Sequence, residues 1–288
     1  MMTGCRIILL MKVLRTAGTA LAWARKAPRP LVLVPTMGAL HRGHAELIRK
    51  ARKTAGPKGS VVVSIFVNPA QFGPKEDLSR YPRPFAEDKK LCTQLGVDMI
   101  FHPAPADMYA ADHSVYVVEE QLGGALCGKS RPGHFRGVCT VVAKLFNIVQ
   151  PDAAIFGRKD FQQLTIIQRM VSDLNFPVKI VPVEIVRESD GLALSSRNQY
   201  LNAEERVQAT VLRAALLEAK SAPKGAKPER LREMVMRKIA TSALAKIDYV
   251  EVVDAENLQP ATPRTRKRLV AVAVFLGRTR LIDNLLLS

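Results

Sequence analysis

Two histidines stand three residues apart in PTMGALHRGH, residues 35–44, where the apolar run PLVLVP hands over to an amphipathic stretch. Imidazole nitrogens donate hydrogen bonds to phosphate oxygens, and a helix N-terminus adds unpaired N–H groups and about half a positive charge. Gly38 lets the backbone turn and approach a ligand with no Cβ in the way. His41 and His44 are therefore expected to face one mouth and to hold the phosphates of a nucleotide. Two solvent-facing histidines near a helix start are the alternative, and the place after a buried strand argues against it. Other stretches carry groups of the same kind. In GRKDFQQL, 157–164, Lys159 and Asp160 precede Gln162 and Gln163 at a strand-to-helix junction, and Lys159 can neutralise phosphate. In LSSRN, 194–198, Ser195 and Ser196 offer hydroxyls and Arg197 a fixed positive charge. Each of these, alone, is more often an ordinary helix start or turn. SRPGHFRGV, 130–138, is a basic, glycine-broken loop that suggests anion binding or mobility.

The elements that position these residues follow from hydrophobic periodicity. PLVLVP (30–35) and SVVVSIFV (60–67) read as strands buried on both faces, and His44, Leu47, Ile48 and Ala51 share one face of the helix between them. NPAQFGP (68–74) is a loop. Helices are expected over 85–96, 137–151 and 160–174, and strands over 97–101, 114–119, 152–157 and 177–186. Alternating strands and helices from about 30 to 186 imply right-handed crossovers and a parallel sheet covered on both faces. In such sheets ligands sit beyond the carboxyl ends of the strands, which is where the loops 35–44, 68–74, 157–160 and 187–198 fall. Helices over 202–220 and 229–246 then lead to strands 247–254 and 268–277, with a turn at Gly277-Arg278 into TRLIDNLLL; Asn202 and Glu205 have capping-box spacing. The fold class is α/β: a Rossmann-like doubly wound parallel sheet over 1–186, with a smaller α+β domain over 187–288 that carries the LSSRN loop.

Length, at 288 residues, allows one large or two ordinary domains, and 48% hydrophobic with 24% charged residues is usual for a globular protein. No apolar run approaches a membrane span, and the N-terminal CRIILLM lacks a small-residue cleavage site. The cysteines are scattered without a CxxC pair, which argues against zinc or a disulfide framework and fits a reducing cytosol. A net charge of +17 attracts polyanions, but aromatics make up only 6% and the basic residues are spread along the chain, unlike a nucleic-acid groove.

His-x-Gly-His followed far downstream by LSSRN is similar to the HxGH and KMSKS elements of the nucleotidyltransferase superfamily, whose members attack the α-phosphate of a nucleoside triphosphate. PTMGALHRGH, FVNPAQFGP, YPR, SRPGHFRGVCTVVAKLFNIVQPD, FGRKDFQQL and DGLALSSRNQYL together, in order and spacing, resemble the pantoate–β-alanine ligase family. The resemblance runs from about Met11 to the C-terminus and is strongest over 34–201. It implies that ATP adenylates pantoate, releasing pyrophosphate, and that β-alanine then attacks the acyl-adenylate to give pantothenate and AMP. It implies His44 as a catalytic group, joined by His41, Lys159 and Arg197. ATP is to be held by Pro35, Thr36, Met37, Gly38, Ala39, Leu40, His41 and His44, by Gly157, Arg158, Lys159 and Asp160, and by Val186, Leu194, Ser195, Ser196 and Arg197. Gln71 and Gln163 match the pantoate-binding residues, and Gln71 also borders the β-alanine position. Mg²⁺ is expected on the ATP phosphates, a homodimer as the assembly, the cytoplasm as the location, and no nucleic acid or membrane as a partner.

The chemistry agrees. Adenylation needs no protein nucleophile, only alignment of two anions and neutralisation of the phosphates, and each well-placed donor is worth on the order of 3 kcal/mol in the transition state. Three features depart from the family pattern: Arg158 stands where Glu or Gln is common, Leu194 replaces a frequent Met, and the positive charge is unexpected. MKVLRT at 11–16 matches the family's usual start, so residues 1–10 read as an extension, either disordered or preceding a natural start at Met11. The nearest rival is another member of the superfamily, such as a cytidylyltransferase, against which Gln71, Gln163 and GHFRG speak. A tRNA-charging enzyme lacks room for an anticodon-binding domain in the roughly 90 residues after position 200.

Overall fold

Uninterrupted β-branched runs become strands where both faces are buried. The computed structural model describes residues 11–74, 76–223 and 225–287, so the expected extension at 1–10 lies outside the described residues. Strands β1 (Lys12–Leu14), β2 (Leu31–Thr36), β3 (Ser60–Ile65), β4 (Met99–Phe101), β5 (Ala153–Gly157) and β6 (Lys179–Val183) form one sheet in the order β1-β4-β3-β2-β5-β6. Every pairing in it is parallel. The helices along this part of the chain are α1 (Ala17–Ala24), α2 (Arg42–Ala55), α3 (Phe85–Gln94), α4 (Pro105–Met108), α5 (Leu126–Ser130), α6 (His134–Val149) and α7 (Phe161–Asp173). Side chains alternate across each strand. Val32, Val34, Val61, Val63 and Ile155 pack with Ile48 and Ala51 of α2 and Cys92 of α3, while Leu31, Leu33, Val62 and Ala154 are fully buried on the other face.

The chain steps from β2 to β3 and β4 on one side, and resumes at β5 and β6 on the other. Strand order therefore reverses between β2 and β5, whose carboxyl ends are Thr36 and Gly157. That reversal is the topological switch point where open α/β sheets bind ligands.

Two compact units divide the chain. The first takes the chain to Glu119 together with Gly133–Gly157 and Ile166–Val183; the second takes Glu120–Pro132, Arg158–Thr165 and everything from Glu184 onward. The second unit holds an antiparallel sheet of β7 (Ala245–Asp254), β8 (Arg268–Leu276) and β9 (Thr279–Leu287), in that order. On it pack α9 (Val211–Lys220) and α10 (Pro228–Ile239), preceded in the chain by α8 (Ala203–Gln208). Leu212, Ala215, Leu216 and Ala219, at helical spacing, meet Leu231, Val235 and Ile239 and the strand residues Val250, Val270 and Val272.

Three sequence expectations need correction. Residues 114–119 form no strand: Val117 N–H donates to Thr140 Oγ1 at 3.0 Å, while Val115 and Val118 stand 76% and 56% exposed. β-Propensity without a neighbouring strand to pair with yields only extended chain. The helix expected over 202–220 is two helices. Asn202 and Glu205 do make the reciprocal cap, but Thr210 turns its hydroxyl back onto the Val207 carbonyl at 2.8 Å and tightens the chain between α8 and α9. The second of the C-terminal helices ends at Ile239, and the chain enters β7 at Ala245, within the span expected to be helical.

Candidate active site

The loop after β2 is shaped by one buried carboxylate. Asp88, on α3, accepts the Ala39 N–H at 2.9 Å through Oδ2 and the Leu40 N–H at 2.7 Å through Oδ1. Gly38 sits above it with φ of 84°, and a Cβ there would lie 2.9 Å from Asp88 Oδ2 and 3.0 Å from Ile65 Cγ2. Ala39 follows at φ 50°, a left-handed conformation that the two hydrogen bonds hold. Thr36 ties the loop's start to β3, its hydroxyl donating to the Ser64 carbonyl at 2.7 Å and accepting from Gly38 N–H at 3.2 Å. Burial pushes the Asp88 carboxyl above the usual carboxylate range, against the pull of the Leu40 and Ala39 hydrogen bonds.

His41 and His44 cap α2 reciprocally. His41 Nδ1 accepts from Gly43 N–H at 3.1 Å, and His44 Nδ1 accepts from His41 N–H at 3.3 Å. Because each Nδ1 acts as an acceptor, each neutral ring carries its proton on Nε2 and offers that atom as a donor. The ring centroids are 4.1 Å apart. The two imidazoles thus share one place at the carboxyl end of β2, beside β5.

Gln71, on a 3-10 turn at Pro69–Gln71, is buried. Its Nε2 donates to Met37 Sδ at 3.0 Å, and its Oε1 accepts from Asn68 Nδ2 at 3.0 Å. Its backbone carbonyl meets His134 Nδ1 at 2.8 Å. A Cβ on Gly137 would overlap the Ala70 carbonyl and the Gln71 nitrogen. GHFRG therefore does local work: His134 holds the Gln71 backbone, and Gly137 makes room for it.

In the second unit, the carbonyls of Arg158 and Lys159 both accept from Asn284 Nδ2, at 3.0 and 2.9 Å. Lys159 Nζ lies 3.6 Å from Asp160 Oδ2, and Arg158 Nε 3.0 Å from Glu184 Oε1. Arg158 thus pairs with a carboxylate of its own chain. Gln162 is buried and committed to structure, accepting from Cys127 N–H and donating to the Leu122 and Ala125 carbonyls; Gln163, its half-exposed neighbour, makes none of these bonds. Val186 and Leu194 face each other across a hairpin, joined by Leu194 N–H to the Val186 carbonyl at 3.0 Å. Ser195 Oγ then accepts from Arg197 N–H at 3.2 Å, starting the 3-10 turn Ser196–Tyr200.

These segments match one family throughout. The model of pantoate-β-alanine ligase matches residues 9–286. The chain belongs to the pantoate–β-alanine ligase family. The pantothenate synthetase of Akkermansia muciniphila is 53% identical over 256 residues, 88% of this chain and 91% of that one. That of Thermotoga petrophila is 51% identical over 266 residues, 92% of this chain and 94% of that one. Among solved structures, the pantoate-β-alanine ligase from Thermus thermophilus is similar with a TM-score of 0.89 at 44% identity, covering 96% of this chain and 99% of that one. The ligase from Francisella tularensis, complexed with β-γ ATP and β-alanine, has a TM-score of 0.79 at 32% identity, covering 96% and 97%.

For this pantoate–β-alanine ligase family member, sequence reasoning found the residues with reactive or charged ends and missed those that hold them. Asp88, Tyr109, Asp283 and Asn284 lie in no motif singled out from the sequence, and Asn68 lies in FVNPAQFGP without having been named as a site residue. Asp88 reads as an ordinary first-turn acid of α3, although it is 2% exposed.

Proposed function

We propose that this protein condenses (R)-pantoate with β-alanine to give pantothenate, using ATP through a pantoyl-adenylate, and that the residues named from its sequence do this work. One observation carries the assignment of the site: a pair of imidazoles with both Nδ1 atoms accepting from backbone, seated after β2 at the strand-order reversal. A pantoate carboxylate oxygen attacks the α-phosphorus of ATP, and the bond to pyrophosphate breaks. The β-alanine amine then attacks the acyl carbon, loses a proton, and AMP departs. His44 and His41 donate from Nε2 to phosphate oxygens that gain charge in the first step, and Lys159 and Arg197 supply positive charge for the ATP phosphates. Pro35, Thr36, Met37, Gly38, Ala39 and Leu40 hold the nucleotide by backbone approach, as do Gly157, Arg158 and Asp160, Val186 and Leu194; Ser195 and Ser196 donate hydroxyls. Gln71 and Gln163 hold pantoate, and Gln71 borders β-alanine.

Mg²⁺ carried on the ATP phosphates would supply charge neutralisation there. Among the described residues no group of three or more His, Cys, Asp or Glu side chains is placed to hold a metal. The assembly is a homodimer in the cytoplasm. The exposed Val115 and Val118, on an extended segment, support a paired surface, and Cys92, Cys127 and Cys139 are free thiols. No helix among the described residues is long and apolar enough to cross a membrane.

The test is pyrophosphate release with ATP and Mg²⁺, adding pantoate first and β-alanine second. Pyrophosphate that requires pantoate, with AMP turnover only after β-alanine, is the expected result. Turnover with CTP or with another acid instead would overturn the substrate assignment. A His44→Ala variant that folds normally and adenylates at the full rate would overturn the role of the imidazoles.

A further inference from the structure

Hydrogen-bond polarity can be followed from the backbone outward around Gln71. Asn68 is 1% exposed and uses all of its side-chain capacity. Its Oδ1 accepts from the Ala70 N–H at 3.3 Å, and its Nδ2 donates to the Gly137 carbonyl at 3.1 Å. A backbone N–H can only donate and a carbonyl can only accept, so these two contacts fix which end of the Asn68 amide is oxygen. The second Nδ2 hydrogen meets Gln71, which must therefore present Oε1 to it, at 3.0 Å. Gln71 Nε2 is then turned the other way, to Met37 Sδ in the loop after β2. Thioether sulfur is a weak acceptor, which a ligand oxygen would replace at little cost.

The chain of polarity has one more member. Tyr109 OH donates to Asn68 Oδ1 at 2.7 Å, the shortest contact Asn68 makes. Oxygen at that position can only accept, so the phenol must be the donor. Its ring is fixed by Phe66 at 6.3 Å and His113 at 4.9 Å between centroids, with the Lys144 ammonium 5.6 Å from its centre. Burial pushes the phenol up to about 12, so it keeps its proton through the physiological range.

We infer that Asn68, oriented by the Ala70 N–H and the Gly137 carbonyl and steadied by the Tyr109 hydroxyl, is a positioning residue that holds Gln71 as a hydrogen-bond donor, so that the ligand group meeting Gln71 Nε2 must be a carboxylate or hydroxyl oxygen and not an ammonium. This rests on the reading of Gln71 as a pantoate-binding residue and adds its polarity and the side chains that impose it. Of the two acids, pantoate offers such oxygens at its hydroxyls and its carboxylate. The ammonium of β-alanine is excluded from Nε2.

Three variants test this by pantoate-dependent pyrophosphate release, with KM for pantoate, KM for ATP and kcat taken separately and folding checked by thermal melting. Gln71→Ala tests the underlying reading, and an unchanged pantoate KM there would sink that reading on its own. Tyr109→Phe removes one donor to Asn68 and should raise the pantoate KM roughly five- to tenfold, with kcat and the ATP KM within about twofold. Asn68→Asp replaces the donating Nδ2 by an acceptor, so the Gln71 amide turns over and presents Oε1 to the ligand; the pantoate KM should rise on the order of a hundredfold. If Gln71→Ala raises the pantoate KM while folded Tyr109→Phe and Asn68→Asp leave it unchanged, the inference is overturned. It is equally overturned if the ATP KM rises as much as the pantoate KM, because a general loosening would do that and a turned amide would not. Should Tyr109→Phe melt too early to assay, Asn68→Asp decides alone.

Discussion

Arg187 and Asp283 meet in a two-point ion pair, 2.6 Å from Nη1 to Oδ2 and 2.9 Å from Nη2 to Oδ1. Asp283 is 3% exposed and lies on β9, next to the Asn284 that holds the carbonyls of Arg158 and Lys159. Arg187 also donates to the Gly191 carbonyl, closing the hairpin that leads to Ser195. Two segments expected to bind nucleotide, far apart in sequence, are thus tethered by adjacent residues of one strand. Asp283→Ala takes the carboxylate away from a largely buried guanidinium and should cost about 3–5 kcal/mol by urea unfolding. Asn284→Ala should cost about 1–2 kcal/mol and raise the ATP KM more than the pantoate KM. Unchanged ATP affinity in a folded Asn284→Ala enzyme would show that the tether is not needed for nucleotide binding.

Asp88 gives a pH dependence with a definite sign. Its folded pKa lies above the ordinary 3.8, chiefly through burial, so folding takes up a proton between the two values. Its contribution is therefore fully present below the ordinary value and is lost as pH rises through the folded one. Relative to Asp88→Asn, the wild type should gain stability as pH falls through that interval and show a constant difference outside it. At neutral pH the Asn variant turns an NH₂ toward the Ala39 or Leu40 N–H, and the loop after β2 should loosen, costing about 1–3 kcal/mol. Chemical denaturation across pH 3 to 8 reads both effects.

Gly137→Ala should be destabilising out of proportion to its size. The added methyl meets the backbone of Ala70 and Gln71, which cannot rotate away as a side chain would. Overpacking of this kind costs about 1–3 kcal/mol, and displacement of Gln71 should raise the pantoate KM as well. Normal melting and normal KM would mean that the 3-10 turn at 69–71 shifts freely.

Cys92 and Cys139 should resist thiol reagents in the folded protein. Burial pushes both thiols up to about 12, with Asp88 adding to the rise at Cys92 and Glu119 at Cys139. At pH 8 roughly one in ten thousand of such thiols is ionised, and the thiolate is the reactive form. Mass spectrometry after iodoacetamide treatment should find both unlabelled until denaturant is added. Rapid labelling of the native protein would mean that α3 or α6 opens easily.

The alternation of strands and helices from β2 to β6, the parallel sheet and the residues with reactive ends were legible in the chain because they depend on neighbours in sequence, whereas the short β1 and α1 before them were not read. β-Branched runs, helical spacing, the Asn202–Glu205 cap and the HRGH and SSRN stretches are patterns a few residues long, set by local periodicity and hydrogen-bond chemistry. What only the tertiary structure decided is which groups hold those ends. Asp88 reaches Leu40 across 48 residues, Tyr109 reaches Asn68 across 41, and Asp283 reaches Arg187 across 96. Nothing in a local window marks one Asp, Asn or Tyr as a partner for a group so distant, because burial and pairing come into being only when the sheets assemble. The same reason explains residues 114–119, whose β-branched composition calls for a strand but whose backbone finds a threonine hydroxyl instead of a neighbouring strand. It also explains adjacent Gln162 and Gln163, identical in type, of which packing commits the first to the chain's own carbonyls and leaves the second half-exposed.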